Sequence, residues 1–275
     1  MPLLTVNGIR LNYEDSGSGE PVVLIMGSGS GGRAWHLHQV PALTAAGYRV
    51  ITFDNRGIPP TDVCVDGFTV QDMVADVIAL IDTLSLGPVR IVGTSMGAYV
   101  AQELALARPE LVRQAVLMAS RARSDALRSA LARAERELHE TGVPLPPLYR
   151  AVVQAMQSLA PRTLDDEQSI VDWLDVMEMS PQHEAGRGAQ LALEPMPDRR
   201  GAYSGIRVSC HVISFADDLI TPPRAGEELA ATIPGAGFEV IPDAGHWGYL
   251  ENAESVNKSI LGFFRAADTP ARSVG

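Results

Sequence analysis

Lysine is nearly absent from this sequence: Lys258 is the only one in 275 residues. A Schiff-base amine or a phosphate-loop lysine therefore has no candidate, since Lys258 falls in an amphipathic helical pattern near the C-terminus. Cysteine is almost as scarce. Cys64 and Cys210 are the two present, and two free thiols suit a reducing compartment better than one disulfide does. No run of 18 apolar residues occurs, and the best runs, such as Val22–Met26, are strand-length. The opening MPLLTVNGIRLNYED lacks a basic region followed by a long apolar one, so no secretory signal is read and a cytoplasmic location is expected. Positive charge is also in deficit. With 22 basic against 33 acidic residues and a net charge of −11, the chain is a poor match for a nucleic-acid backbone.

What is present is apolar and alternating. The hydrophobic share of 46% supports a full core, and this length fits one large domain or one domain with an insertion. Leu4–Val6 and Ile9–Tyr13, joined through Asn7-Gly8, read as a hairpin closed by a type I′ turn. Val22–Met26 reads as a strand covered on both faces, and Tyr48–Phe53, Val89–Val92, Ala115–Met118, Val212–Phe215 and Phe238–Ile241 repeat that character. Helical patterns separate them: Thr69–Leu84, opened by a Thr69/Asp72 capping box, then Ala98–Ala107, Arg224–Thr232 and Val256–Phe264. This alternation implies a mostly parallel sheet with helices on both faces.

Between residues 121 and 203 the alternation gives way to helix after helix: Ser124–His139, Leu148–Leu159, Asp165–Met177 and Glu184–Leu193. The expected organisation is a core over 1–120 and 204–266, a helical lid over 121–203, and a flexible tail over 267–275. Ten arginines and thirteen acids balance one another in Arg121–Arg200, so no anion site stands out there. Met156, Met177, Met179, Met196, Leu159 and Trp173 make the lid apolar, whether as core or as substrate pocket.

Gly27, Gly29 and Gly32 stand in the G-x-G-x-x-G spacing of a dinucleotide loop, and Asp54 closes the next apolar run. A nucleotide loop needs an uninterrupted helix behind it, and Pro41 is expected to interrupt that segment. The stronger signal lies at Gly93-Thr94-Ser95-Met96-Gly97, where an apolar strand runs through G-x-S-x-G into a helix. A serine hydroxyl needs a base, and the base an orienting group. Downstream, one strand ends in Asp217-Asp218 and the next in Gly245-His246, giving the order Ser…Asp…His. The other histidines, at 36, 38, 139, 183 and 211, form no convincing ligand set with a third group, so no metal site is expected.

In these motifs, in this order, the chain resembles the α/β-hydrolase superfamily, and the resemblance covers nearly everything outside the lid. It implies a mostly parallel eight-stranded sheet flanked by helices, with an inserted helical lid. It further implies Ser95 as nucleophile, His246 as base and Asp218 as acid, because the family's acid stands four residues before a proline, here Pro222. The backbone amides of Ser28 and Met96 match its oxyanion donors. Met26 departs from the histidine usual at that loop, which hints at a reshaped oxyanion site. A serine nucleophile excludes the branches that use aspartate, the haloalkane dehalogenases and epoxide hydrolases. The implied reaction is acyl transfer on a medium-sized, largely apolar ester, lactone or thioester. The partner is a small-molecule substrate, with no cofactor, no nucleic acid and no membrane, in a monomer or homodimer. Alternatives are a C–C bond hydrolase of ring-cleavage products, a tailoring lyase or perhydrolase, and a receptor that binds without turnover.

Overall fold

The computed structural model describes residues 3–180 and 184–268. His183 and residues 269–275 of the expected tail lie outside the described residues. Strands β1 (Leu3–Val6) and β2 (Ile9–Gly17) form the expected hairpin. Asn7 and Gly8 turn it at φ 46° and 78°, as a type I′ turn requires. There follow β3 (Glu20–Ile25), α1 (Gln39–Ala45), β4 (Tyr48–Phe53), α2 (Val70–Thr83), β5 (Val89–Thr94), α3 (Met96–Ala107) and β6 (Val112–Met118). Then come α4 (Ala126–Glu140), α5 (Pro147–Ser158), α6 (Pro161–Asp165), α7 (Glu167–Met179), α8 (Glu184–Leu191) and α9 (Arg200–Tyr203). The chain closes with β7 (Ser209–Phe215), α10 (Pro223–Thr232), β8 (Gly237–Ile241), α11 (Gly248–Glu251) and α12 (Ala253–Asp268).

Among the described residues the strands make one eight-stranded sheet in the order β1-β2-β4-β3-β5-β6-β7-β8. The pairings of β2 with β1 and with β4 are antiparallel, and the others are parallel. Side chains on a strand alternate between faces, and the central strands use that alternation to fill two cores. Val23 and Ile25 of β3 join residues of α2, α3 and α10. Val22 and Leu24 join Val40 and Leu43 of α1 and Val256, Ile260 and Phe264 of α12 on the other face. Each such side chain, once fully buried, stabilises the fold by about 1.5–3 kcal/mol.

Three expectations are corrected. The edge strand β8 is largely open to solvent, with Phe238 37% and Val240 42% exposed, because among the described residues it ends the sheet and pairs with a strand on one side alone. Pro41 does not break a helix: it lies in the first turn of α1, where a missing N–H costs nothing. The interruption behind the glycine loop comes earlier, at His38 (φ −140°, ψ −50°), between a 3-10 turn over Gly32–Leu37 and α1. The helix expected over Asp165–Met177 starts later, as α7 at Glu167, because Asp166 accepts the Ser169 amide at 2.7 Å and caps it, while Asp165 ends the short α6.

Candidate active site

The glycine loop, the ends of β5 and β7 and the turn after β8 converge at the C-terminal edge of the parallel strands, where open α/β sheets place their ligands. Ser95 holds φ 54° and ψ −119° between β5 and α3, a region an L-residue occupies only when its surroundings enforce it. Close packing supplies that enforcement. A Cβ at Gly93 would run into the Gly97 carbonyl, and one at Gly97 into the Ile25 carbonyl. The motif glycines thus allow β5 to turn into α3 directly against β3, and the hydroxyl is left partly exposed.

His246 Nε2 lies 3.1 Å from Ser95 Oγ, and His246 Nδ1 lies 2.8 Å from Asp218 Oδ2. Asp218, only 2% exposed, is held from both sides. Its Oδ1 accepts the amides of Ile220 and Thr221, each at 2.8 Å, and its Oδ2 accepts the Thr221 hydroxyl at 2.6 Å. Burial alone would raise the pKa of Asp218. The charge and hydrogen bond of His246, with the Thr221 donors, outweigh it and hold this carboxyl below its ordinary range. Asp217 differs: its backbone amide donates to the Ala244 carbonyl at 3.0 Å, and its carboxylate makes no hydrogen bond among the described residues.

The glycine loop is fixed from below by the residues that follow β4. Asn55 donates to the Met26 carbonyl at 2.8 Å, and Asp54 Oδ1 accepts the Gly32 amide at 2.7 Å. Asp54, which the nucleotide reading would assign to a ribose, instead ties this loop to the sheet. Met26 is buried against the Tyr249 hydroxyl at 3.7 Å. Neither the Ser28 amide nor the Met96 amide has a hydrogen-bond partner among the described residues. The Ser28 hydroxyl sits 3.3 Å from Met96 Sδ, which brings the two residues together beside Ser95.

The helices between β6 and β7 reach this site at two points that sequence reasoning missed. Gln190 of α8 accepts the Gly29 amide and donates to the Arg56 carbonyl, both at 2.8 Å. Glu251 accepts the Gly245 amide at 2.7 Å with one oxygen, and the Ala160 amide and Thr163 hydroxyl with the other. Trp247, next to His246, meets Trp173 of α7 at 5.7 Å between ring centroids. Nothing local in the sequence marks Gln190 or Glu251. Thr221 sits inside the Asp-x-x-x-Pro motif and could have been singled out there. Elsewhere, His211 bonds Ser259 Oγ at 3.0 Å and stacks on Phe263. Burial pushes the Cys210 thiol up to about 12, so it is no nucleophile at neutral pH.

A mostly parallel sheet with a serine on a strained strand-to-helix turn, and a histidine from the last strand's turn 3.1 Å from it, has the architecture of an α/β-fold hydrolase. The profile of the alpha/beta hydrolase family matches residues 22–258, and the chain belongs to that family. BpoC of Mycobacterium tuberculosis, which bears a provisional non-heme bromoperoxidase name, is 49% identical over 93% of this chain and 98% of its own length. Its crystal structure superposes with a TM-score of 0.90, covering 93% of this chain and 96% of that one. A 2-hydroxy-6-oxononadienedioate/2-hydroxy-6-oxononatrienedioate hydrolase of Burkholderia vietnamiensis is 31% identical over 94% of this chain and 91% of its own length. A thermophilic esterase from Thermogutta terrifontis, solved with malate bound, is 28% identical with a TM-score of 0.81, covering 95% of each chain. The protein is thus an enzyme of hydrolase type. Among the described residues no helix is long and apolar enough to cross a membrane.

Proposed function

We propose that this enzyme is a serine hydrolase that works through an acyl-enzyme on a medium-sized, largely apolar ester, lactone or thioester. The observation that carries the reading is the continuous line from Ser95 Oγ through His246 to buried Asp218. His246 Nε2 takes the Ser95 proton as Oγ attacks the substrate carbonyl carbon. The oxyanion so formed is held by the amides of Ser28 and Met96. The imidazolium, stabilised by Asp218, returns its proton to the leaving oxygen or sulfur and frees the acyl-enzyme. Water, activated by the same imidazole, then releases the acid.

The substrate class rests on the apolar surroundings. Leu159 and Met177 are buried with Trp173 and Trp247 packed against them, next to His246. Helices α4–α9 serve as the lid in this proposal, within 121–203, over a core of 1–120 and 204–266. A cytoplasmic location and a monomer or homodimer complete it. C–C bond hydrolysis of a vinylogous diketone is the second reading, favoured by the Burkholderia relative. The provisional name of the 49% identical relative adds a variant in which peroxide, not water, deacylates the enzyme.

Turnover of p-nitrophenyl esters of graded chain length, set beside a dienoate ring-cleavage product, separates these. Preference for medium acyl chains supports the ester reading. Faster loss of the dienoate's visible absorbance supports C–C cleavage. Binding of either without turnover would overturn both.

A further inference from the structure

Beside the loop that carries Asp218 lies a cavity of about 210 Å³, whose walls include Arg121, Arg123, Arg128, Arg224, Asp125 and Glu228. Four arginines and two acids thus line it, in a chain of net charge −11. Three of the four are engaged. Arg128 pairs with Asp125 at 3.1 Å and donates to the Leu219 and Ile220 carbonyls. Arg224 pairs with Asp125 at 2.9 Å, and Arg123 with Glu228 at 3.0 Å.

Arg121 is the exception. Its guanidinium has no hydrogen bond and no ion pair among the described residues, and its Nε is sealed from solvent. Burial and the neighbouring Arg128 push its pKa down, against the pull of Asp125, Asp218 and Tyr99. A guanidinium does not lose its proton at such a site, so it stays cationic. Arg121 is half-buried with its Nε sealed, and a cation so placed without a counter-ion favours an anion beside its open end. The N-terminus of α10 (Pro223–Thr232) also borders the cavity through Arg224 and Ala225, and its dipole adds positive potential.

We propose that this cavity is an anion site, in which the Arg121 guanidinium holds a small oxyanion: a carboxylate, sulfate or phosphate group. The volume exceeds one water's share of about 30 Å³ several-fold and admits a tetrahedral anion. The planar guanidinium fork matches two oxygens of such a group. Thr221 also lines the cavity, and its hydroxyl donates to Asp218 Oδ2 at 2.6 Å. The occupant therefore sits one side chain away from the buried carboxylate. It is either the carboxylate of a substrate or a free anion.

Calorimetric titration of sodium sulfate at low ionic strength, with chloride as control, tests the site without any turnover, so its failure is separate from failure of the hydrolase reading. The parent should bind one sulfate saturably, Arg121→Gln at least tenfold more weakly, and Arg121→Lys in between. Millimolar sulfate should raise the Tm of the parent and not that of Arg121→Gln. The source is read from KM, an arm that does rest on the hydrolase reading. If Arg121→Gln raises KM for p-nitrophenyl hemisuccinate but not for the butyrate, and sulfate competes with the hemisuccinate alone, the substrate's carboxylate is the occupant. Sulfate binding with both KM values unchanged identifies a free anion. No saturable sulfate binding by the parent, or equal binding by parent and Arg121→Gln, overturns the proposal.

Discussion

The Gln190 side-chain carbonyl accepts the Gly29 amide at 2.8 Å, joining residues 161 positions apart in the chain. This bond fastens α8 to the glycine loop one residue beyond Ser28, and the loop's position sets where the Ser28 N–H points. Gln190→Ala removes the acceptor of the Gly29 amide, a part-buried bond on an exposed residue that water can replace, so the loss of stability should be about 0.5–1.5 kcal/mol. If the loop also drifts, kcat should fall by about tenfold to a hundredfold with KM little changed, since losing one oxyanion donor outright costs on the order of 3 kcal/mol. Steady-state kinetics and thermal melts read the two effects separately. A drop in Tm with unchanged kcat would make Gln190 a structural residue alone.

Ser95 combines chemistry with strain, and two substitutions separate them. Ser95→Ala should abolish ester turnover and melt within a few degrees of the parent, because it keeps the φ of 54°. Ser95→Gly should be equally inactive yet melt higher than Ser95→Ala. Relief of about 1–3 kcal/mol of backbone strain exceeds the entropic cost of glycine, about 0.5–1 kcal/mol. Retained activity in either variant would remove Ser95 from the nucleophile's role.

Adjacent carboxylates should behave very differently. Asp218→Asn cannot stabilise the imidazolium and favours the wrong tautomer, so turnover should fall by about three to four orders of magnitude. Asp217→Asn should cost less than about tenfold, or about 1.4 kcal/mol of barrier, since only its backbone amide is tied to the site, through Ala244. Rates on an activated ester at matched folded concentration decide this. The reverse ranking would move the acid to Asp217.

The depressed pKa of Asp218 has a signature in acid. A carboxyl whose folded pKa lies below its unfolded value, about 3.9, adds stability that is fully present above that value. The contribution is lost as pH falls through the folded pKa. Denaturant melts of the parent and Asp218→Asn should therefore differ by a constant amount from pH 5 upward and converge below about pH 4. A gap that instead grows as pH falls from about 6 towards 4 would mean that the folded pKa is raised.

The central strands were legible because parallel strands buried on both faces read as unbroken apolar runs. Edge strand β8 carries the same kind of letters, Phe238 and Val240, yet exposes both, since sequence does not say which strand ends the sheet. The juxtaposition of Ser95 and His246 was legible because a tight strand-to-helix turn and a turn after a strand each place glycine beside the candidate side chain. Asp218 was set apart from Asp217 in the sequence only by its distance from Pro222 in the family's pattern. What divides them is which carboxylate meets Thr221 and His246, a matter of the turn's geometry. Gln190 and Glu251 were invisible because their partners lie in distant segments, with Glu251 reaching back 91 positions to Ala160. The start of α7 at Glu167 was placed two residues early because periodicity marks a helix's face and not its end, whereas the cap is a single carboxylate's choice of partner.

Covalent capture by a fluorophosphonate tests the nucleophile most directly, because its phosphorus reacts only with an activated hydroxyl and stays attached. Intact mass should show one adduct per chain, and peptide mapping should place it on Ser95. Ser95→Ala should remain unlabelled, and His246→Ala should label at least a hundredfold more slowly. An unlabelled parent, or an adduct that maps to another residue and persists in Ser95→Ala, would contradict the assignment of Ser95 as the nucleophile.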